Sequence, residues 1–482
     1  MNYIPVIGLE IHAELNTKSK MFCSCPNNPF DSPPNANVCP VCLGHPGTLP
    51  TANKEAIMKT AKVGVALRCT IARHSKFDRK NYFYPDLPKG YQISQYDLPL
   101  CANGFLEVQG RKISVRRIHI EEDTGKLVHP PGASYSLVDF NRSGVPLLEL
   151  VTEPDVQSGV EAREFAKELQ LILRVLQVSE ADMEKGQMRV EVNISLKEEH
   201  ALGLGTKVEI KNLNSFRAVE DSIAYEITRQ TGVLEKGGEV MQETRGWDQQ
   251  RGETYPQREK ESAHDYRYFP EPDIPPIEFS EETIREIEQT IPELPRTKRL
   301  RFKTEYAIGD KAIEIFTNDK ELGEYFEQAA SEHDPNVPAE RLAKRTALIA
   351  NYLISDVKGY MEEHAISAER LKMTPENFAE LMGLLETGAI TSSVAKALLP
   401  RMIEEGIDPT HIIGAEGLEQ VGDEKTVRNI AKKIIAEHPK AVEDYKKGKT
   451  NALQFLAGKV IAQTRGTADP TLVRNILDQE LA

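Results

Sequence analysis

The sequence predicts an α+β protein: a mainly antiparallel β region, then an all-helical region, then a small helical tail. Three observations carry that expectation. The first 292 residues repeat short runs of alternating apolar and polar residues, the period-2 mark of half-buried strands, and are dense in Pro and Gly. From Ile291-Pro292-Glu293-Leu294-Pro295 onward, Ala-, Leu-, Glu- and Lys-rich segments take over with helical spacing. A chain of 482 residues is also long for one core, so several domains are expected. The boundaries read from these changes are 1–292, 293–405 and 406–482.

The elements follow in order. In Val6 to Glu14, strand geometry sends Leu9, Ile11 and Ala13 to one side and Glu10, His12 and Glu14 to the other. Ile118 and Ile120 oppose Arg117, His119 and Glu121 in the same way. Val190, Val192 and Ile194 oppose Arg189, Glu191 and Asn193, and Val208 and Ile210 oppose Lys207, Glu209 and Lys211. One helix interrupts them, opened by the capping box Ser158-Gly159-Val160-Glu161, with Phe165, Leu169, Ile172 and Leu176 on one stripe. Further on, Thr374-Pro375 reads as a helix start, and Pro400 with Gly406 to Pro409 marks a joint near 405. The tail carries an amphipathic segment with Leu453, Leu456 and Val460.

Composition narrows the function. Hydrophobic residues at 40% exclude a disordered chain. No window approaches the roughly 18 apolar residues of a spanning helix. The start, Met1-Asn2-Tyr3-Ile4-Pro5, shows neither a basic leader nor a signal-like core, so the expected location is cytoplasmic. The net charge of −14 excludes a general polyanion binder but leaves room for a local RNA surface.

Cys23-x-Cys25 followed by Cys39-Pro-Val-Cys42 is the strongest local signal. Two close thiol pairs suit a closed tetrahedral Zn²⁺ site of structural type, the alternative being four buried thiols. Glu10 and His12, with Glu121-Glu122-Asp123 and Glu191 as neighbours, offer carboxylates and an imidazole to a Mg²⁺ or Mn²⁺ ion, or else a solvated strand face. Ser75 to Asp86 and Ser262 to Asp273 interleave basic and aromatic residues, fit either for phosphate and base contacts or for an anchored surface loop. Asp139 to Pro146 and Gln242 to Arg245 each pair an Arg with acids or amides, for anion recognition or as structural ion pairs. A complete P-loop is missing, because Glu443 stands where the first Gly before Gly448-Lys449-Thr450 belongs, and no H-E-x-x-H motif occurs.

Several of these stretches resemble one family. Ile7-Gly8-Leu9-Glu10-Ile11-His12, Lys76-Phe77-Asp78-Arg79-Lys80-Asn81-Tyr82, Asn141-Arg142-x-Gly144-x-Pro146-Leu147-x-Glu149, Lys211-Asn212-Leu213-Asn214-Ser215, Gln242-Glu243-Thr244-Arg245 and Asp265 to Asp273 are similar to the B subunits of aspartyl/glutamyl-tRNA amidotransferases. The resemblance implies a cradle-shaped catalytic domain and a ligase that converts Glu-tRNA(Gln), and often Asp-tRNA(Asn), to the amide. ATP would be co-substrate, phosphorylating the side-chain carboxylate before ammonia attacks it. The resemblance implies a Mg²⁺ or Mn²⁺ ion on Glu10, His12 and Glu122, with Glu191 as a further ligand, and catalytic roles for Glu10, His12, Glu122 and Lys80. It implies substrate or ATP contacts from Lys76, Arg79, Asn81, Tyr82, Tyr84, Arg142, Lys207 and Arg245. The implied partners are an amidase-type glutaminase and a third, small protein in a heterotrimer, and aminoacyl-tRNA, with neither membrane nor DNA. Polar strand faces would line a sealed ammonia passage, and Lys446, Lys447, Lys449 and Lys459 would hold the tRNA body. Two rival readings are a zinc-containing tRNA adaptor without catalysis and a stand-alone metal-dependent hydrolase.

Overall fold

The structure is a computed structural model, and it describes residues 3–201, 203–259, 266–333, 337–420 and 423–481. Two compact units divide it, Met1–Pro295 and Arg296–Ala482.

The first unit is built on a nine-stranded sheet. Its strand order is Glu253–Glu259, Glu243–Asp248, Val208–Leu213, Met188–Glu198, Tyr3–Glu14, Pro146–Thr152, Arg111–Glu122, Cys101–Val108 and Thr70–Ile71. Neighbours run antiparallel except Val208–Leu213 beside Glu243–Asp248, which are parallel. The first strand of the chain therefore lies in the middle, paired with Met188–Glu198 from Tyr3 to Ala13 and with Pro146–Thr152 from Glu10 to Glu14.

The predicted alternation sorts this sheet into two unlike faces. Leu9, Ile11, Ile118, Ile120, Val190, Val192, Val208 and Ile210 are fully or almost fully buried in one apolar cluster. Helices Lys54–Ala66, Gly159–Val175 and Phe216–Glu235 pack into the same cluster through Ala61, Phe165, Leu169 and Ile223. Each fully buried aliphatic or aromatic side chain contributes about 1.5–3 kcal/mol. Ser158 caps Gly159–Val175 by accepting from the Glu161 amide at 3.1 Å. Glu161 closes the turn on the Gln157 amide at 2.8 Å, one residue before the position a standard capping box uses.

The opposite face carries Glu10, His12, His119, Glu121, Glu149 and Glu191. Two short strands, Asp78–Asn81 and Tyr91–Ser94, with Phe269–Pro270 beside them, form a small sheet next to it. Ser94 reaches across to donate to Glu121 Oε2 at 2.9 Å.

The second unit is helical among its described residues and holds two apolar clusters. One runs from Phe302 to Ile413, the other from Val427 to Leu481. Thr374 caps Pro375–Thr387, with Pro375 in its first turn. Helix Ser392–Glu405 runs through Pro400 and ends where Gly406 takes φ 71°. The joint expected near 405 is thus a helix end, while the apolar cluster continues past it through Ile412 and Ile413. Leu456 and Val460 are fully buried in the last cluster, as their helical spacing requires. No described helix is long and apolar enough to cross a membrane.

Phe165→Ala should lower the urea unfolding free energy of the first unit by about 3–5 kcal/mol, because it empties a fully buried site. Leu204→Ala, at a side chain 68% exposed, should stay within about 0.5 kcal/mol of wild type. Equal losses for the two, followed by circular dichroism, would contradict the assigned core.

Candidate functional site

Register decides which polar groups meet. Across the middle of the sheet, Arg189, His12, Glu149 and His119 stand opposite one another on four successive strands, and Glu191 stands opposite Glu10 one step along. His12 Nε2 lies 3.4 Å from Glu149 Oε2, 3.8 Å from Glu121 Oε1 and 3.9 Å from Glu10 Oε1. His119 Nε2 lies 3.3 Å from the same Glu149 oxygen. Lys80 Nζ approaches Glu121 Oε2 at 4.0 Å, and Lys211 Nζ holds Glu191 at 2.8 Å.

Three sets of donors converge closely enough to hold an ion: Glu10, His12 and Glu149; His119, Glu121 and Glu149; and Glu10, Glu191 and Glu209. In each set the ligand atoms lie within 4.8 Å of one another. Carboxylate oxygens with one imidazole suit Mg²⁺ or Mn²⁺.

The electrostatics reflect this crowding. Burial, then the charges of Glu149 and Glu191, push the Glu10 carboxyl up to about 7. Burial works to lower the His12 pKa, but the hydrogen bond to Glu149 and the charges of Glu149, Glu10 and Glu191 outweigh it and raise it to about 9. Burial also opposes ionisation of Glu149, yet the two histidines hold it well below the ordinary carboxylate range. Lys80 is held charged, since Glu121 and its neighbours overcome the burial that would lower it.

The four cysteines meet as their spacing predicts. Their sulfurs lie within 4.8 Å of one another, with Cys42 Sγ 3.9 Å from Cys39 Sγ. The Cys39 amide donates to Cys42 Sγ at 3.1 Å. The Cys42 thiol is lowered to about 4, chiefly by the hydrogen bond from Cys23 and, against burial, by the Cys39 amide and Lys20. Four soft donors at this separation fit a tetrahedral ion with no open position.

Comparison with known proteins agrees with this architecture. Residues 5–285 match the model for the GatB/GatE catalytic domain, and residues 324–481 match the GatB domain. The chain belongs to the GatB family. Its relatives include a protein of Thermoanaerobacter pseudethanolicus, 47% identical over all of both chains, and one of Thermotoga maritima, 46% identical over all of this chain and 99% of the other. Both are named as the B subunit of an aspartyl/glutamyl-tRNA(Asn/Gln) amidotransferase.

Within the GatB-type catalytic domain, the expected site residues divide. Glu10, His12 and Lys80 come together, and Glu191 joins Glu10. Glu122 does not. It shares strand parity with the core residues Ile118 and Ile120, and its carboxylate is taken by Lys89 at 2.6 Å and the Ile93 amide at 3.0 Å. Glu149, Glu121 and His119 occupy the place expected of it. Glu149 is a lone acid in the apolar run Pro146–Thr152, and its partners follow from strand register alone.

The expected anion-gripping cations are engaged inside the fold. Lys76 pairs with Asp78 and, at 2.6 Å, with Asp97. Arg79 makes two bonds to Glu271, at 2.6 and 3.1 Å, and covers the Tyr91 ring. Arg142 donates to the carbonyls of Thr124 and Gly125 at 3.0 and 2.8 Å. Arg245 is buried against Thr254, Glu243 and Glu226. Asn81 bonds the Arg267 carbonyl at 2.9 Å, Tyr82 reaches Gln92 at 3.3 Å, Tyr84 is half exposed, and Lys207 is exposed ahead of its strand. Ser262, Ala263, His264 and Asp265 lie outside the described residues. The Lys211 to Ser215 motif is a local device: Asn212 takes φ 57° at a bulge, and Ser215 caps the helix Phe216–Glu235.

A cation on Glu10, His12 and Glu149 must displace the protons of His12 and Glu10. Mn²⁺ affinity should therefore rise as pH increases from 6 through the Glu10 and His12 pKa values of about 7 and about 9, then level off. Titration calorimetry in buffers of different ionisation enthalpy should register proton release on binding. A pH-independent affinity would contradict the ligand set.

Proposed function

We propose that this chain is the carboxylate-activating and amidating component of a tRNA-dependent amidotransferase acting on Glu-tRNA(Gln), Asp-tRNA(Asn) or both. The names of the full-length relatives support that substrate class. The observation that carries the chemistry is the cluster of Glu10, His12 and Glu149 with Lys80 beside Glu121, gathered on one sheet face.

The reaction explains the need for such a cluster. A carboxylate resists ammonia because its leaving group would be oxide. Phosphorylation by ATP makes that oxygen a good leaving group, and transfer between anions depends on positioning and positive charge more than on covalent help. A divalent ion held by Glu10, His12 and Glu149 would supply charge neutralisation for the phosphoryl oxygens. Lys80, kept cationic and anchored against Glu121, orients and neutralises anionic oxygen beside the cluster. His119, bonded to the buried Glu149, keeps that carboxylate ionised and aimed at His12. The small sheet that carries Lys80 also covers part of this face, which limits water around an activated acyl group.

No glutaminase motif is evident in the sequence, so ammonia would come from an amidase-type glutaminase partner, with a third, small protein completing the heterotrimer. The four cysteines would hold a structural Zn²⁺ ion. The lysines of the last helical cluster would meet the tRNA body. Lys447 and Lys449 pair locally with Glu443 and Asp444, and Lys459 lies over the half-exposed Phe455 ring. The expected setting is cytoplasmic.

Glu10→Ala/His12→Ala and Glu149→Ala should each abolish ATP-dependent amidation in the assembled complex and leave glutamine hydrolysis by the partner largely intact. Wild-type amidation by the double variant would end this reading. If aminoacyl-tRNA-stimulated ADP release persists in these variants, the chain is an adaptor. Replacing Lys446, Lys447, Lys449 and Lys459 together by Ala should raise the KM for aminoacyl-tRNA about 10-fold or more at physiological salt while sparing kcat. An unchanged KM and salt dependence would remove the tail from tRNA binding.

A further inference from the structure

Lys20 is fully buried, with 0% of its surface exposed. Lysine is almost never buried to that degree without an anionic partner. Among the described residues no carboxylate pairs with it. Its Nζ donates to the Asn37 carbonyl at 2.7 Å and to the Phe140 carbonyl at 3.3 Å, and it lies 3.7 Å from Cys42 Sγ. The anion that accounts for this cation is therefore the thiol cluster itself.

The charge arithmetic runs the same way. Four thiolates around one divalent zinc ion sum to two negative charges, and a buried site with that excess is costly unless cations or amide dipoles offset it. Here the Cys39 amide supplies one dipole and Lys20 one full charge.

The same side chain ties the cluster to a second loop. Phe140 belongs to the segment 139–146, which grips the cysteine loop at several points. Asn141 accepts from the Asn37 amide at 2.8 Å and donates to the Pro33 carbonyl at 2.7 Å, and Ser143 Oγ donates to the Cys42 carbonyl at 3.0 Å. Gly144 takes φ 87°, and a Cβ there would lie 3.5 Å from both Cys42 and the Lys20 stem. That segment leads directly into Pro146–Thr152, the strand that carries Glu149.

We propose that Lys20 is a positioning residue of the thiol cluster: its buried cation compensates the excess charge of a zinc-tetrathiolate and fastens that centre to the loop leading to Glu149. This rests on the zinc reading above. It concerns retention of the ion rather than the amidation chemistry, so it can be measured without turnover.

The test uses the full-length chain produced with added zinc. Zinc content is read by plasma mass spectrometry, and its release by transfer to a colorimetric chelator. Wild type should hold about one zinc per chain. Lys20→Met and Lys20→Gln, which remove the charge, should release zinc about 10-fold faster or more, in the range seen when groups around a metal's ligands are removed. Lys20→Arg keeps the cation and should release it more slowly than either neutral variant, which keeps the comparison decisive if Lys20→Met fails to fold by circular dichroism. Release from the neutral variants at the wild-type rate, or from Lys20→Arg as fast as from Lys20→Gln, would overturn the role of Lys20 alone. A wild-type chain that takes up no zinc would overturn the zinc reading and the inference with it.

Discussion

Charged groups can be crowded onto one sheet face only if the other face gives the sheet a reason to form and each charge has a partner. That constraint governs the first unit. Leu9 and Ile11 lie in the helix-covered core, while Glu10 and His12, their immediate neighbours in sequence, face a surface that also carries four more glutamates and a second histidine. Half-desolvated carboxylates repel one another and cost several kcal/mol unless they are matched by cations or protons. His12, His119, Lys80, Arg117 and Lys211 do the matching. Burial and crowding raise the pKa values of Glu10 and His12, while the two histidines hold Glu149 ionised.

The two faces of the central strands were legible in the sequence because period-2 alternation is a property of each strand alone. The same holds for the Cys pairs and for the helix starts at Ser158 and Thr374, where the signal is local. Register is not local. Which glutamate faces His12 depends on how strands more than a hundred residues apart are aligned, and a shift of one residue exchanges the faces. Glu122 and Glu121 differ by one such step: alternation already puts Glu121 on the face of His119, and the pairing of Arg111–Glu122 with Pro146–Thr152 is what brings Glu149 to them.

The basic and aromatic motifs show a second limit. A composition of Arg, Lys, Tyr and carboxylate serves phosphate binding and internal ion pairing equally well, and although Glu243 is local to Arg245, Glu226 on Arg245 and Glu271 on Arg79 come from other segments. Lys80 stands apart through strand parity: its neighbours Arg79 and Asn81 bond to Glu271 and the Arg267 carbonyl, while Lys80 passes over the Tyr266 ring to approach Glu121. The motif around Gly144 likewise owes its form to packing against the cysteine loop, a constraint visible only once Cys42 and Lys20 are beside it.

Glu10, His12 and Glu149 are proposed as a divalent-cation centre. Crystals of the chain soaked in Mn²⁺ and measured at the manganese edge test it most directly. One strong anomalous peak is expected within coordination distance of those three side chains. No peak there, or a peak beside Glu122 and Lys89 instead, would contradict it.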